Sequence, residues 1–204
     1  MNNEGIRGNA PVEVFDLAAW RHMFEVNFFG HIAVSQVLLP QLIRSKGKLI
    51  NISSVGGRLA IATYGPYGGT KFALEAVSDA LRREVAPFGV DVVVIEPGAV
   101  QTKISARAIA ATNKVASTMT AEQSQRYSGL MSAVTAQAAS ADKAGWPADK
   151  VAKIIAKAIM ARRPRTRYGV GREAAMISFL RVLPDRLVDQ IPNAVMRPYF
   201  PRPD

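Results

Sequence analysis

Two short apolar runs, separated by a long helical pattern, constrain the possible folds of this chain more than any other feature. The runs are Lys48 to Ser53 and Val90 to Ile95, and the helix between them extends from about residue 66 to Phe88-Gly89. Strands that are apolar without alternation are buried on both faces, as in parallel sheets covered by helices. Strand, helix and strand within about 50 residues form a βαβ unit, so the sequence predicts an α/β fold.

A long helix precedes this unit. Asp16 can cap its N-terminus, and Lys46-Gly47 ends it. Apolar residues recur at intervals of three and four, which predicts a buried stripe. Other faces of the helix are apolar as well, and this indicates burial on more than one side, as at an oligomer interface. The predicted stripe consists of Leu17, Trp20, Phe24, Val34 and Leu38.

The second half of the chain is less regular in its pattern. Residues 101–146 are rich in Ala, Ser and Thr, which predicts either a mobile lid over a substrate or a poorly ordered insertion. Helical periodicity resumes over Pro147 to Ala161, and Arg167 to Val170 is predicted to be a third strand. Residues 173–204 form a basic amphipathic tail with two short helices, the second ended by Pro192. We expect one domain over residues 1–204.

The composition excludes several classes of function. The 204 residues are 49% hydrophobic and contain no cysteine, so disulfides, thiolate catalysis and cysteine-ligated zinc are excluded. The two histidines, His22 and His31, argue against a histidine-based metal site, and no metal is expected. No uninterrupted apolar run has the roughly 18 residues of a membrane span, and no signal segment is apparent. The expected location is therefore the cytoplasm.

A net charge of +10 requires an explanation. From Arg162 to Asp204 there are nine arginines and no lysine, against four acidic residues. The arginines alternate with Pro, Leu and Val and do not form a basic stripe with stacking aromatic residues. This pattern predicts a solvated basic surface or a peripheral contact with a membrane, and no binding of nucleic acid.

The clearest chemical signal is the pair Tyr67 and Lys71. An offset of four places both side chains on one face of the predicted helix, with their Cβ atoms about 5–6 Å apart. A nearby positive charge favours the phenolate, so we expect the pKa of Tyr67 to fall from roughly 10 towards working pH. Tyr67 is therefore a candidate general acid and base.

Two polar residues, Asn27 and His31, fall on the apolar stripe of the long helix. An unsatisfied polar group among apolar neighbours costs on the order of 1–3 kcal/mol, so both must have hydrogen-bond partners. Asn27 is either a satisfied core amide or a functional residue, and the residues alone leave both interpretations open. For His31 a structural role in the core is the favoured interpretation.

Four sequence elements together resemble the short-chain dehydrogenase/reductase family, whose extended Rossmann enzymes transfer a hydride between NAD(P) and a carbonyl or alcohol. Ser54 lies thirteen residues before Tyr67, and Tyr-Gly-Gly-Thr-Lys at 67–71 is similar to the family's Tyr-x-x-x-Lys. Asn27 in Glu-Val-Asn-Phe-Phe-Gly is similar to the asparagine of its long helix. The turn Pro97-Gly98-Ala99-Val100-Gln101-Thr102 is similar to the one after its sixth strand.

The resemblance implies roles for these residues. Tyr67 would exchange a proton with the substrate oxygen, and Ser54 would hydrogen-bond that oxygen. Lys71 would hold the nicotinamide ribose, and Asn27 would position a water in a proton relay. The resemblance implies NAD or NADP as the cofactor and, for the chain, a doubly wound Rossmann-like parallel sheet. The implied cofactor-binding residues are Asn3, Gly5, Ile52, Tyr67, Lys71, Pro97, Gly98, Val100 and Thr102.

The N-terminus departs from the family. The usual first strand and its Gly-rich turn, which binds the cofactor pyrophosphate, do not occur in this sequence. Met1 to Gly5 is similar to the Asn-Asn-Ala-Gly segment that closes the family's fourth strand, with Glu4 in place of alanine. The sequence therefore predicts the C-terminal two-thirds of the domain. Either the protein is longer than 204 residues, which we favour, or it is truncated. For the 204 residues alone we expect weak dinucleotide binding or none.

Three functional classes follow from these patterns. The favoured one is an NAD(P)-dependent oxidoreductase acting on a small-molecule carbonyl or alcohol, with a hydrophobic, lipid- or steroid-like substrate as one possibility. The second is a catalytically silent fragment that serves as an oligomerising scaffold, and for either class the resemblance implies a homodimer or homotetramer. The third is a peripheral membrane protein, which exposure of Phe179, Leu180 and Leu183 beside Arg181 would support.

Overall fold

A parallel sheet forms the centre of the computed structural model, which describes residues 1–196 and, except for 178 and 191–196, their side chains. The strands are β1 (Lys48–Ile52), β2 (Asp91–Pro97), β3 (Val100–Gln101), β4 (Trp146–Pro147) and β5 (Arg167–Val170). The first, second and fifth form a parallel sheet in the order β1-β2-β5, and β3 pairs with β4 in parallel. Asn2 extends the sheet beyond β1 by a parallel bridge to Asn51.

Helices cover this sheet on both faces. Alternate residues of β1 and β2 point to opposite faces, because side chains along a strand alternate. Leu49 and Val92 pack against α2 (Gly30–Ser45) and α3 (Gly65–Val85), whereas Ile50 and Val93 pack against α6 (Ala148–Met160). The predicted α/β class and the doubly wound arrangement are therefore confirmed. Apolar runs without alternation are what a sheet covered on both sides requires.

The long N-terminal helix contains a change in its winding. It begins with α1 (Leu17–Phe24), passes through a π-helical turn (Glu25–Phe29) and continues as α2. Asp16 caps it as predicted, because its carboxylate accepts from the Ala19 amide at 3.0 Å. In the π turn, the Gly30 amide donates to the Glu25 carbonyl, five residues earlier. Such turns insert one extra residue and occur frequently at functional sites.

The predicted buried stripe of this helix is wrong for three of its five residues. Leu17, Val34 and Leu38 are 60%, 47% and 43% exposed, whereas Asn27 and His31 are buried. The polar residues find partners in the N-terminal segment, and only the Nδ1 atom of His31 stays without one among the polar atoms of these two side chains, so burial of this face costs little. Those three apolar residues lie outward, whereas Trp20 and Phe24 are half-buried beside Gly65 and Gly69 of α3. Residues of the buried face, spaced by four, are Met23, Asn27, His31 and Ser35.

Residues 101–146, predicted as a mobile lid or a poorly ordered insertion, are mostly helical. They form α4 (Lys103–Ser117) and α5 (Ala121–Ala144), which pack against each other. A capping box starts α5, in which Thr120 and Gln123 bond each other's backbone amides. Leu130, Ala133 and Val134 are buried against Tyr64 and Tyr127. Because small residues carry much of this packing, the sequence shows little periodicity here.

The C-terminal helices are α7 (Glu173–Leu180) and α8 (Asp185–Met196). Pro192 does not end the second helix, contrary to the prediction. Phe179 is 63% exposed, but Leu180 is buried and Leu183 is half-buried, so the predicted exposed apolar group is only partly present. Residues 197–204 of the predicted tail lie outside the described residues.

The N-terminal helix also qualifies as a membrane span by one criterion. Over Leu17–Ser45 it is long and apolar enough to cross a membrane. Its apolar residues do not form one uninterrupted run, because charged residues such as Arg21 and Glu25 lie between them. Core helices of soluble proteins meet the same criterion, so length and composition alone are weak evidence. Here one face of the helix packs against α3 and β1.

Candidate active site

The first two turns of α3 carry Tyr67 and Lys71, and both side chains are buried. Pro66 lies at a position in the first turn where a missing amide proton costs nothing, so the helix can start just before Tyr67. The Lys71 ammonium lies 5.9 Å from the centroid of the Tyr67 ring and donates to the Ile52 carbonyl at 2.9 Å. The end of β1 therefore anchors the lysine.

Ser54 follows β1 and connects three parts of the site. Its hydroxyl caps the short 3₁₀ helix Val55–Gly57 by accepting from the Gly56 amide at 3.0 Å, and it donates to the Pro97 carbonyl at 3.4 Å. The hydroxyl also lies close enough to the Tyr67 phenol to lower the pKa of that phenol. Adjacent parallel strands end at the same edge, so β1 and β2 bring Ser54 and Pro97 together.

A cavity of about 890 Å³ opens at this edge of the sheet. All but one of the predicted catalytic and cofactor-binding residues line this cavity, although they come from four separate segments of the chain. Leu59, Ile104, Ile155 and Leu180 contribute apolar surface to its wall. The predicted site residues that line it are Asn3, Gly5, Ile52, Ser54, Tyr67, Lys71, Pro97, Gly98, Val100 and Thr102.

Asn27 is the predicted site residue that does not line the cavity. Its amide is fully buried and donates to the Ile6 carbonyl at 2.9 Å and to the Thr70 hydroxyl at 3.1 Å. Its carbonyl oxygen accepts from the Ile6 amide at 2.8 Å. These contacts are those of a satisfied core amide that joins the N-terminal segment to α3. A role in a water relay stays a prediction.

The electrostatics of Tyr67 differ from the expectation. Complete burial raises the pKa of the Tyr67 phenol, because the phenolate loses its solvation. The Ser54 hydrogen bond and the Arg7 charge oppose this rise without cancelling it. The expectation that Lys71 would bring the phenol pKa towards working pH is therefore wrong for this structure. Tyr67 carries its proton at neutral pH.

The pKa of Lys71 is lowered to about 8. Burial is the main cause, and the negative charge of Glu75, one turn further along α3, opposes it. A lysine with this pKa can gain or lose a proton near physiological pH, which an exposed lysine does not do. The pair therefore combines a protonated phenol with an amine that is able to exchange protons.

A cluster of charged side chains lies behind Lys71. Arg167 on β5 pairs with Glu75 at 3.1 Å, with Asp79 at 2.8 Å and with Glu96 at 3.2 Å. Burial, followed by the neighbouring Glu75 carboxylate, raises the pKa of Glu96. The cluster joins α3, β2 and β5. It affects the site through Glu75, whose charge raises the pKa of Lys71.

His31 contacts the N-terminal segment and not the cavity. Its Nε2 lies 2.8 Å from the Glu4 carbonyl, which can only accept, so this nitrogen carries the proton. Burial lowers the pKa of the ring. These contacts are those of a structural histidine, as the sequence favoured. Among the described residues, no group of histidine and acidic side chains is arranged to hold a metal ion.

Three cavity residues were not identified from the sequence. Arg7 lies with its guanidinium carbon 5.4 Å from the Tyr64 ring centroid and 5.9 Å from that of Tyr67. A methyl group on Gly98 would collide with the Glu173 carboxylate, so this acid lies against the Pro97-Gly98 turn. No local pattern distinguishes Arg7, Tyr64 or Glu173 from other residues of their type, so only their spatial positions reveal them.

The donor set fits the nicotinamide half of a dinucleotide. An ammonium, backbone groups of the Pro97 turn and the Thr102 hydroxyl line one cavity beside Tyr67. Ribose hydroxyls and a carboxamide need both donors and acceptors, and these groups provide both. Lys71 and Asn3 could hold the ribose, whereas the turn and Thr102 could hold the carboxamide.

Three comparisons relate the chain to known proteins. The family model for short chain dehydrogenase matches residues 1–114. The NADPH-dependent 3-dehydrocapnine reductase of Ornithobacterium rhinotracheale is 34% identical over 197 residues, which cover 94% of this chain and 67% of that protein. Retinol dehydrogenase 5 of Mus musculus is 35% identical over 210 residues, covering 100% of this chain and 64% of that protein.

Solved structures give the same relationship. A short-chain dehydrogenase from Streptomyces avermitilis matches with a TM-score of 0.70 and 25% identity, over 93% of this chain and 65% of that one. The chain therefore spans about two thirds of the length of the relatives that it matches.

Proposed function

The chain belongs to the short-chain dehydrogenase/reductase family, and we propose that its cavity serves an NAD(P)-dependent oxidoreductase that interconverts a carbonyl and an alcohol. The observation that carries the proposal is the convergence of Ser54, Tyr67 and Lys71 at one wall of a largely apolar cavity. The NADPH dependence named for the Ornithobacterium relative supports a nicotinamide cofactor. The chain's own residues do not reveal whether NAD or NADP is preferred.

Tyr67 is the proposed proton donor. Because burial raises the pKa of its phenol, the side chain holds a proton that it can give to a carbonyl oxygen as negative charge develops there. When bound, the nicotinamide would supply the hydride. The reverse reaction requires the phenolate, which burial disfavours.

Ser54 and Lys71 complete the proposed chemistry. Ser54 and Tyr67 line the same cavity, so the Ser54 hydroxyl is in position to donate to the same substrate oxygen and stabilise its charge. Lys71, with its pKa lowered to about 8, is able to return a proton towards Tyr67 after each turnover. The Ile52 carbonyl keeps the ammonium oriented for this transfer.

The experiment is an assay of the protein expressed from its full reading frame, with NADPH or NADH and a panel of aliphatic and cyclic ketones. We expect oxidation of the nicotinamide, and Tyr67→Phe should slow it on the order of 1,000-fold by removing the acid. Dinucleotide binding, measured by calorimetry, should remain nearly unchanged in this variant. Tyr168→Phe, which removes a phenol hydrogen-bonded to the Arg165 amide, is the control. Activity that survives in Tyr67→Phe would contradict the mechanism.

A second proposal concerns self-association as a homodimer or homotetramer. The face of the N-terminal helix opposite Asn27 and His31 carries large exposed apolar residues. An apolar patch of this kind on a helix is typical of a protein interface. A catalytically silent scaffold would use the same surface. The exposed apolar residues of the π-helical turn, of α2, of α3 and of the turn after α3 include Phe29, Val34, Val37, Leu38, Phe72 and Phe88.

A hydrophobic substrate and a peripheral membrane contact remain part of the proposal. The apolar cavity wall supports the first, as do the relatives named for retinol and 3-dehydrocapnine. Exposed Met176, Phe179 and Val182, near Arg181, support the second. Flotation of the protein with anionic liposomes tests the membrane contact, and a protein that stays at the bottom of the gradient contradicts it. We propose the cytoplasm as its location.

A further inference from the structure

Arg7 introduces a positive charge into the cavity, and the chemistry proposed above does not use it. The residue follows the N-terminal bridge to β1 and is half-buried. Its guanidinium carbon lies 5.4 Å from the Tyr64 ring centroid and 5.9 Å from the Tyr67 ring centroid. These contacts hold the guanidinium beside the proposed proton donor.

This guanidinium has no acidic partner among the described residues. Glu4, Asp142, Glu173 and Asp189 also line the cavity, but none of them forms an ion pair with Arg7. The Nε atom is buried, and no acceptor among residues 1–196 is within hydrogen-bond distance of it. A buried donor that lacks an acceptor is costly, and the cost is larger when the group is charged.

Guanidinium geometry determines what would satisfy these donors. The group is planar and presents parallel N–H bonds that match the two oxygens of a carboxylate or the oxygens of a sulfonate or phosphate. An apolar wall strengthens such a contact, because the surroundings screen it less than water does. The cavity beside Arg7 is lined by Ile104, Val134 and other apolar residues.

From this arrangement we propose that Arg7 is a substrate-binding residue and that the substrate carries an anionic group a few bonds from its reacting carbonyl. The anion would contact the terminal nitrogens of Arg7, because Nε is buried, while the carbonyl oxygen contacts Ser54 and Tyr67. The remaining, apolar part of the substrate would lie along the cavity wall. The substrate class is thus an amphiphilic oxo acid, and this assignment rests on the proposed oxidoreductase function.

Binding measured by calorimetry, without any cofactor, tests this assignment. The probes are racemic 3-hydroxyoctanoate and its methyl ester, which differ only in the charge. The wild-type protein should bind the acid more tightly than the ester, on the order of tenfold, because one hydrogen-bonded ion pair is lost in the ester. Equal affinity for the two probes, or no binding of either, would overturn the proposal.

Three variants identify the residue responsible. Arg7→Gln should remove the preference for the acid and leave the affinity for the ester nearly unchanged. Arg7→Lys keeps the positive charge but loses the two parallel N–H bonds of the guanidinium, so it should keep part of the preference for the acid. Arg163→Gln removes an exposed arginine outside the cavity and should leave the preference intact. A preference that survives in a folded Arg7→Gln, checked by thermal melting, would overturn the proposal.

The two proposals can fail separately. Probe binding requires no hydride transfer, so a protein without oxidoreductase activity can still prefer the acid, and an active enzyme can lack the preference. If Arg7→Gln weakens NADPH binding instead, with the preference for the acid unchanged, the guanidinium contacts the cofactor and the substrate assignment is wrong.

Discussion

The Lys71 ammonium lies 5.9 Å from the centroid of the Tyr67 ring and is held there by the Ile52 carbonyl. Both side chains are buried, and burial acts on them in opposite directions. It raises the pKa of the phenol and lowers that of the amine, so each group favours its neutral form. At neutral pH Tyr67 therefore keeps the proton that carbonyl reduction requires, and Lys71, with a pKa of about 8, is still mainly an ammonium.

The lowered pKa of Lys71 makes stability depend on pH. Between about pH 8 and 10.5, the ordinary pKa of a lysine, the unfolded chain binds a proton that the folded chain does not. Stability therefore rises with pH across this window. Relative to Lys71→Met, the wild-type free energy of unfolding should increase by about 2 kcal/mol from pH 7.5 to 9.5. Urea denaturation at both pH values measures it.

The matched control for this prediction is Lys114→Met, which removes a lysine exposed on α4. Its unfolding free energy should stay parallel to that of the wild type over the same pH range. If the difference between wild type and Lys71→Met is constant with pH, then Lys71 is solvated in the folded protein and its lowered pKa is refuted.

Removing the Ser54 hydroxyl should make Tyr67 a weaker acid. The hydrogen bond from Ser54 lowers the phenol pKa, so Ser54→Ala should raise that pKa further. The titration midpoint of the Tyr67 phenol can be followed by NMR of tyrosine labelled at Cζ. The Tyr67→Phe variant assigns the signal. Ketone reduction should slow on the order of 100-fold, because a donor to the substrate oxygen is lost. Ser54→Thr keeps the hydroxyl and should remain close to the wild type, and an unchanged midpoint in Ser54→Ala would contradict this role.

Gly57 is where the 3₁₀ helix after Ser54 packs on α3. A methyl group there would lie 2.9 Å from the Ser53 hydroxyl and 3.0 Å from the Lys71 carbonyl, and the backbone of a helix cannot move aside easily. Gly57→Ala should destabilise the protein by about 1–3 kcal/mol, measured by chemical denaturation.

Gly69→Ala is the matched control for Gly57→Ala, because the structure has room for a methyl group at Gly69. Its new methyl group would meet Phe24 at 3.6 Å, an ordinary contact distance, within α3. This variant should be stabilised by about 0.5–1 kcal/mol, since alanine loses less backbone entropy in a helix. Equal effects of the two substitutions would show that packing against α3 does not determine the cost.

The exposed face of α2 should mediate self-association. Val37 is 79% exposed at this face, and a glutamate there would bury a charge in any interface that forms. We expect Val37→Glu to convert a dimer or tetramer into a monomer in size-exclusion chromatography with light scattering. Val12→Glu, at an equally exposed loop position, should leave the assembly unchanged. A wild-type protein that is monomeric at micromolar concentration would contradict the proposal.

Local patterns predicted most of the fold. The strands Lys48–Ile52 and Asp91–Pro97 and the helix between them lie within a few residues of their predicted limits. Continuous apolar runs leave few alternatives to a covered parallel strand. The helices over residues 103–144 were not predicted, because small residues that pack closely leave a weak periodic signal.

The long helix shows a different cause of error. The spacing of apolar residues predicted a helix with an apolar surface, but it did not predict which face of that helix packs against the core. Asn27 and His31 are buried because the N-terminal segment offers them backbone partners, and those partners are far away in the sequence. Leu17, Val34 and Leu38 then face outward.

The sequence by itself determined the class of chemistry, because the spacing from Ser54 to Tyr67 and on to Lys71 is a property of one continuous segment. Three features were decided only by the tertiary structure. They are the position of Arg7 beside Tyr67, the contact of Glu173 with the Pro97-Gly98 turn, and the direction in which the pKa of Tyr67 moves. Solvation and distance depend on segments that meet only after folding, and a pattern along the chain carries no information about them.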